Sequence, residues 1–512
     1  MKRQARGPLG CALSCVAVLA AALLQSIGPA QAAGSSDARL GLTSCRLPGV
    51  EHEAWCGQLR RLLDPAVPLG TAFDLHFAVL PALARNRKPD PVFFFVGGPG
   101  QSAVDLAPQI SRLMSRLGNR RDVVLVDQRG TGRSAPLACE PLPAALPLAQ
   151  ALDNAWQLQR LADCRNALQA LPHGDLRFYA TSLAVQDVDA VRRALGATRI
   201  NLVGGSYGTR VALEYMRQFP PQVRRAVIDG VAPPDMVLPA AFSADNQAAL
   251  QAVLQACAAE PRCASRYPRL QADWQALLLR LPMTVTAAHP LNGQPQRFDL
   301  TRQNLLGLVR APLYVPALAA ALPMALHEAA AGRLEPLLGL SSALSGSRSR
   351  RPGQLFEGMH FAVVCSEDVP RLALSADAPG ADFGSLFAQQ YQQVCQGWPR
   401  AEVPAGFYEV PPAPAAVLVL SGGADPVTPP RHGQRVTQAL GTKARHVVVD
   451  QAGHGVMALP CLRDVLFRFI DAASDEEALR VDAGCAAQLP RPPVYLPITG
   501  SADTLKGAVS AR

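Results

Sequence analysis

Ile200-Asn201-Leu202-Val203-Gly204-Gly205-Ser206-Tyr207-Gly208 decides the fold: an apolar strand runs straight into a G-x-S-x-G turn, the layout of a nucleophile elbow. A strand that reverses sharply into a helix strains the backbone of its corner residue, and flanking glycines remove Cβ atoms that would collide there. The helix expected next carries Val211, Leu213, Tyr215 and Met216, and Pro220-Pro221 stops it. Such a turn lifts the Ser206 hydroxyl clear of the sheet and makes it the candidate nucleophile. An ordinary glycine-rich strand-to-helix turn reads equally well from the pentapeptide alone, so the surrounding elements carry the weight.

Upstream, Pro91-Val92-Phe93-Phe94-Phe95-Val96 is a continuous apolar run of the kind that parallel sheets bury on both faces. Residues 122–126, 225–229, 415–420 and 446–449 add further strands, and 71–79 reads as an early one. Within 181–195, Leu183, Val185, Val188, Val191 and Leu195 recur at near-helical spacing, with Thr181 or Ser182 to cap the start and Gly196 to end it. Strands alternating with helices predict an α/β-hydrolase fold, a mostly parallel, doubly wound sheet. The interval 233–414 is rich in Ala, Leu and Gln and broken by Pro and Gly, which predicts an inserted, mainly helical cap. The core then occupies 33–232 and 415–485, and 486–512 reads as an irregular tail.

A chain of 512 residues, 49% hydrophobic and 17% charged, buries a large core and excludes a disordered or fibrous class. Residues 1–32 read as a secretory signal: Lys2, Arg3 and Arg6, an apolar run, then Ala30-Gln31-Ala32 as an A-x-A exit. Export to a periplasm or the extracellular space is therefore expected, with no membrane span in the mature chain. Removing those three basic residues takes the formal charge from +9 to +6, thinly spread. The basic run at 347–353 reads as a solvated loop, and without a basic face bearing interleaved aromatics no nucleic-acid partner is expected. Ten cysteines remain after the leader, and an even count after export favours disulfides. Because short loops close most easily, the expected pairs are sequential: Cys45 with Cys56, Cys139 with Cys164, Cys257 with Cys263, Cys365 with Cys395, and Cys461 with Cys485. With neither C-x-x-C nor H-E-x-x-H present, no metal and no cofactor are expected.

Three loops complete the chemistry around Ser206. Gly97-Gly98-Pro99-Gly100-Gln101-Ser102 follows the Phe93 strand, where small residues free backbone N–H groups to face an oxyanion. The expected donors are the amides of Gly98 and Tyr207, each worth about 3 kcal/mol at the transition state. Asp425 lies in a loop after the 415–420 strand and His454 in Gly453-His454-Gly455 after the 446–449 strand. A serine hydroxyl attacks at neutral pH only when an imidazole takes its proton, and that imidazole needs a carboxylate to hold its tautomer and its cation. Serine, acid, histidine is also the chain order of α/β-hydrolases. Asp229, ending the strand after the elbow, is the rival acid to Asp425.

Together, Val96-Gly97-Gly98-Pro99-Gly100-Gln101-Ser102, Asp127-Gln128-Arg129-Gly130-Thr131-Gly132-Arg133-Ser134, Gly204-Gly205-Ser206-Tyr207-Gly208-Thr209 and the Asp425 and His454 loops resemble the proline iminopeptidase and tripeptidyl aminopeptidase group, especially its secreted tripeptidyl-aminopeptidase-like branch with a TAP-like C-terminal region. Val96 stands where many relatives have histidine and Gln101 where glycine is common, and neither change removes a backbone donor. The resemblance implies a serine exopeptidase that releases a single residue or short peptide from peptide substrates with a free N-terminus. It also implies cap carboxylates that hold the ammonium, for which Glu367 and Asp368 are the candidates. The Asp127 to Ser134 run is expected to brace the site through ion pairs of Arg129 and Arg133. A carboxylesterase with the same triad and a hydrolase-fold binding protein without turnover are the alternatives.

Overall fold

The computed structural model describes residues 41–143, 145–345 and 353–497. The leader expected at 1–32, residues 347–352 of the basic run and the tail beyond 497 lie outside the described residues. The compact unit that carries the fold begins at Thr43.

Eleven strands are present among the described residues: β1 (Thr43–Cys45), β2 (Ala54–Leu62), β3 (Ala72–Leu80), β4 (Val92–Phe95), β5 (Val123–Val126), β6 (Ile200–Gly205), β7 (Val223–Asp229), β8 (Met283–Ala288), β9 (Pro295–Leu300), β10 (Val417–Gly422) and β11 (Ala444–Val449). Nine of them form one sheet in the order β1-β2-β3-β5-β4-β6-β7-β10-β11. Every pairing from β5 through to β11 is parallel, while β1, β2 and β3 add an antiparallel edge. The mostly parallel sheet expected from the sequence is therefore the fold. Each residue of β4, β5 and β10 is buried, as their unbroken apolar runs require when helices cover both faces.

Six helices position the site: α1 (Thr181–Ala194), α2 (Tyr207–Gln218), α3 (Leu238–Ala259), α4 (Arg302–Leu313), α5 (Glu357–Glu367) and α6 (Leu386–Cys395). The chain between β7 and β10 is mainly helical and has its own apolar core around Trp274, Leu305, Leu322 and Phe383. Sequence reading did not anticipate its small antiparallel hairpin of β8 and β9. Nor did it find β1 and β2, whose half-exposed residues carry no continuous apolar run.

Five disulfides join the ten cysteines in the sequential order expected. Cys45 is bonded to Cys56, clamping β1 onto β2 at the antiparallel edge, and Cys139 is bonded to Cys164. Cys257 is bonded to Cys263 just past the turn that ends α3, and Cys461 is bonded to Cys485. The bond between Cys365 and Cys395 ties the end of α5 to the end of α6. Among the described residues no helix is long and apolar enough to cross a membrane, and no group of three or more His, Cys, Asp or Glu is placed to hold a metal ion.

Candidate active site

The elbow forms where β6 turns into α2. Ser206 has φ 56° and ψ −125°, a left-handed conformation that a non-glycine residue adopts only when its surroundings enforce it. The enforcement is steric. A Cβ on Gly204 would overlap the Gly208 carbonyl, and one on Gly208 would overlap the carbonyl of Phe95, so the turn packs backbone against backbone. Tyr207 is the first residue of α2, so its N–H has no intrahelical acceptor and points out of the positive end of the helix.

The loop after β4 lies beside this corner. A Cβ on Gly97 would sit 3.2 Å from the Ser206 Cβ, which puts the expected oxyanion loop against the candidate nucleophile. Gly98 has φ 117°, in the left-handed region that favours glycine. Asp127 anchors the loop from behind, accepting from Ser102 Oγ at 2.6 Å and from the Val104 amide at 3.1 Å. Arg129 braces the base as expected, in a forked pair with Asp187 at 2.7 and 3.0 Å. Arg133 is instead exposed, and among the described residues its guanidinium forms no ion pair, so that half of the expected bracing is absent.

Asp425 and His454 meet across the ends of β10 and β11. His454 Nδ1 lies 2.7 Å from Asp425 Oδ2. The other carboxylate oxygen accepts the Val427 and Thr428 amides, both at 2.9 Å, and Thr428 Oγ1 donates to Asp425 Oδ2 at 2.7 Å. That hydroxyl is also 3.1 Å from His454 Nδ1. Burial alone drives the Asp425 carboxyl up, but His454 and these donors outweigh it and leave the group below the usual carboxylate range. For His454, burial favours the neutral ring, and the adjoining Asp425 charge overrides it, so its pKa rises above the ordinary imidazole value. The acid is thus ionised and aimed at the nitrogen that must carry a proton for the other to act as base.

Asp229, the rival acid, has a separate place in the same constellation. Its backbone carbonyl accepts the Ser206 N–H at 2.8 Å, and its Oδ2 accepts the Met457 amide, three residues past His454, at 2.7 Å. Its Oδ1 is buried with no hydrogen-bond partner. Burial pushes this carboxyl up to about 6, so above that pH it is charged and adds to the field on His454. The next residue, Gly230, is so close that a Cβ there would lie 3.3 Å from His454 Cε1. One strand end therefore links the Ser206 turn with the His454 loop.

Glu367 and Asp368 do not face open space. Both are fully buried at the end of α5 and share one cation: Arg210, from α2, reaches Glu367 Oε2 at 3.2 Å and Asp368 Oδ2 and Oδ1 each at 3.1 Å. Glu367 also accepts the Thr181 amide at 2.7 Å, and Asp368 the Leu238 amide at 3.1 Å. Neither carboxylate is presented to an incoming ammonium. Instead they lock the elbow helix to α5, and the Tyr207 hydroxyl joins the network at 2.6 Å from Thr181 Oγ1 and 3.0 Å from Gln128 Nε2. Sequence reading missed Arg210 and Thr428. The Asp425-x-x-Thr428 spacing carried a readable signal, since Asp side chains commonly bind amides two and three residues on.

Above His454, the Tyr314 carbonyl just past α4 accepts its N–H at 3.2 Å, and the Tyr314 ring stands edge-on to the imidazole at 5.4 Å.

A model described as alpha/beta hydrolase fold matches residues 90–310, and one described as TAP-like protein matches 380–479. The chain is similar to a tripeptidyl aminopeptidase of Streptomyces lividans, 29% identical over 195 residues, which are 35% of each chain. It is similar to the serine protease Hip1 of Mycobacterium tuberculosis, 28% identical over 37% of this chain and 38% of that one. A proline iminopeptidase of Neisseria meningitidis is 30% identical over 29% of this chain and 35% of its own length. In each case the similarity spans about a third of the relative's length, 35–38%.

Proposed function

We propose that this chain, with its α/β-hydrolase fold and TAP-like C-terminal region, is an exported serine exopeptidase that releases a residue or short peptide from peptides with a free N-terminus. Ser206 Oγ attacks the scissile carbonyl while His454 accepts its proton and Asp425 stabilises the imidazolium. The amides of Gly98 and Tyr207 hold the oxyanion, and the imidazolium returns its proton to the leaving amine. Water activated by His454 then releases the acyl group from Ser206. The single observation carrying this reading is the 2.7 Å contact of His454 Nδ1 with a buried Asp425, beside an elbow whose serine is held at φ 56°. Relatives named as aminopeptidases support the peptide substrate, and five disulfides support export.

The test pairs a fluorophosphonate probe with product mass spectrometry. Wild-type protein is expected to be labelled and to cleave peptides with free but not blocked N-termini, and Ser206→Ala to do neither. Turnover by Ser206→Ala would refute the nucleophile. Brisk hydrolysis of acyl esters with no cleavage of free-N-terminus amides would refute the peptidase in favour of an esterase.

A further inference from the structure

The charge that the helical insertion brings toward the triad is positive. Arg310 sits in the last turn of α4, four residues before the Tyr314 that contacts His454. Its guanidinium carbon lies 4.6 Å from the Phe242 ring centre, 5.6 Å from that of Phe387 and 5.8 Å from that of Tyr314. Nη2 donates to the Tyr314 hydroxyl at 3.0 Å, while Nε is buried with no acceptor. Among the described residues no carboxylate pairs with this guanidinium. The nearby acids are committed elsewhere: Glu367 and Asp368 to Arg210, and Asp425 to His454. Arg310 still acts electrostatically on His454, on His360 of α5 and on Tyr391 of α6.

A half-buried cation without a counter-ion is costly, and the planar fork of arginine suits a carboxylate best. Three aromatic rings restrict the guanidinium and leave little rotamer freedom to lose on binding. We propose that Arg310 forms an anion subsite next to the triad and selects peptides that carry a carboxylate near the scissile bond. This rests on hydrolysis at Ser206 as read above. The carboxylate has two sources, an Asp or Glu side chain or the free C-terminus of a very short peptide, and both present the same group to Arg310.

The experiment measures kcat/KM for matched free-N-terminus peptides, Glu against Gln at each position flanking the cleaved bond, and free C-terminus against amide. Wild type is expected to favour one carboxylate member by roughly 10- to 100-fold, the range of a charge-assisted hydrogen bond, and to lose part of that preference at high salt. Arg310→Gln is expected to abolish the preference, read as the ratio of kcat/KM within each matched pair, so that any change common to both members cancels. The Glu/Gln series and the C-terminal series distinguish the two sources. Equal rates for all matched pairs in wild type, or a preference that survives in Arg310→Gln, would overturn the subsite. If Arg310→Gln does not fold, the wild-type preference and its decline with salt still decide. Fluorophosphonate titration of each variant separates this outcome from failure of the Ser206 reading, because a labelled enzyme indifferent to carboxylates rejects the subsite alone.

Discussion

Replacing Arg210 with Gln tests what the buried acidic pair is for. Arg210, Glu367 and Asp368 have side chains with 0% exposure, and Arg210 also donates to the carbonyls of Pro233 at 3.3 Å and Met236 at 3.1 Å. Removing the cation strands two carboxylates away from water, and breaking a buried pair by deleting one partner costs about 3–5 kcal/mol. Part of that loss is offset, because burial already holds Glu367 near 7 against the pull of Arg210, so Glu367 takes up a proton once the cation is gone. The expected net loss is about 3 kcal/mol, a fall in Tm of roughly 6–12 °C if the scaling for domains of 150–250 residues is extended to this one. Thermal unfolding followed by circular dichroism at pH 7 measures it. Arg210→Met combined with Glu367→Gln and Asp368→Asn is expected to recover most of the stability, since the charges disappear together. If Arg210→Gln and Glu367→Gln instead left Tm unchanged while KM for free-N-terminus peptides rose tenfold or more, the pair would be an ammonium site and the structural argument would fail.

Because His454 must be neutral to act as base and its pKa is raised, kcat/KM is expected to climb with pH through a midpoint above ~6.5, and a midpoint at or below that value would contradict the Asp425 contact. Asp229→Asn keeps an acceptor for the Met457 amide but removes a charge, so its midpoint is expected to move down with KM unchanged; an unmoved profile would make Asp229 purely structural. Thr428→Val removes a hydroxyl that contacts both Asp425 and His454, and kcat is expected to fall by roughly tenfold, about 1.4 kcal/mol, in steady-state kinetics.

The parallel strands were legible, though not their order in the sheet, because β4, β5, β6 and β10 are buried and therefore spelled in unbroken apolar runs. The proposed triad was legible because each member follows a strand: Ser206 after β6, Asp425 after β10 and His454 after β11. The antiparallel edge was not: β2 mixes glycine, glutamine, arginine and leucine on a half-exposed surface, and its place is set by pairing with β3, from Trp55↔Val79 to Leu62↔Ala72. The β8–β9 hairpin was missed even though Asn292-Gly293, with Gly293 at φ 70°, marks its turn. The cysteine pairing was readable because neighbours along the chain close small loops, from Cys257 with Cys263 at a separation of 6 to Cys365 with Cys395 at 30. The acidic pair was picked out only because the resemblance implies cap carboxylates, and nothing in the sequence around Glu367 and Asp368 shows that they are buried. Its counter-ion comes from the elbow helix, more than 150 positions upstream, where Arg210 appears as one more polar residue on an amphipathic face.

That counter-ion also limits how α5 can move against the elbow helix. Swinging α5 away from the elbow as a rigid door would drag three unscreened charges apart in a dry interior, a barrier too high for routine opening at every turnover. The contact of Tyr314, just past α4, with the histidine loop is of another kind: one backbone hydrogen bond and one ring edge, with no buried charge to separate, so the two part at far lower cost.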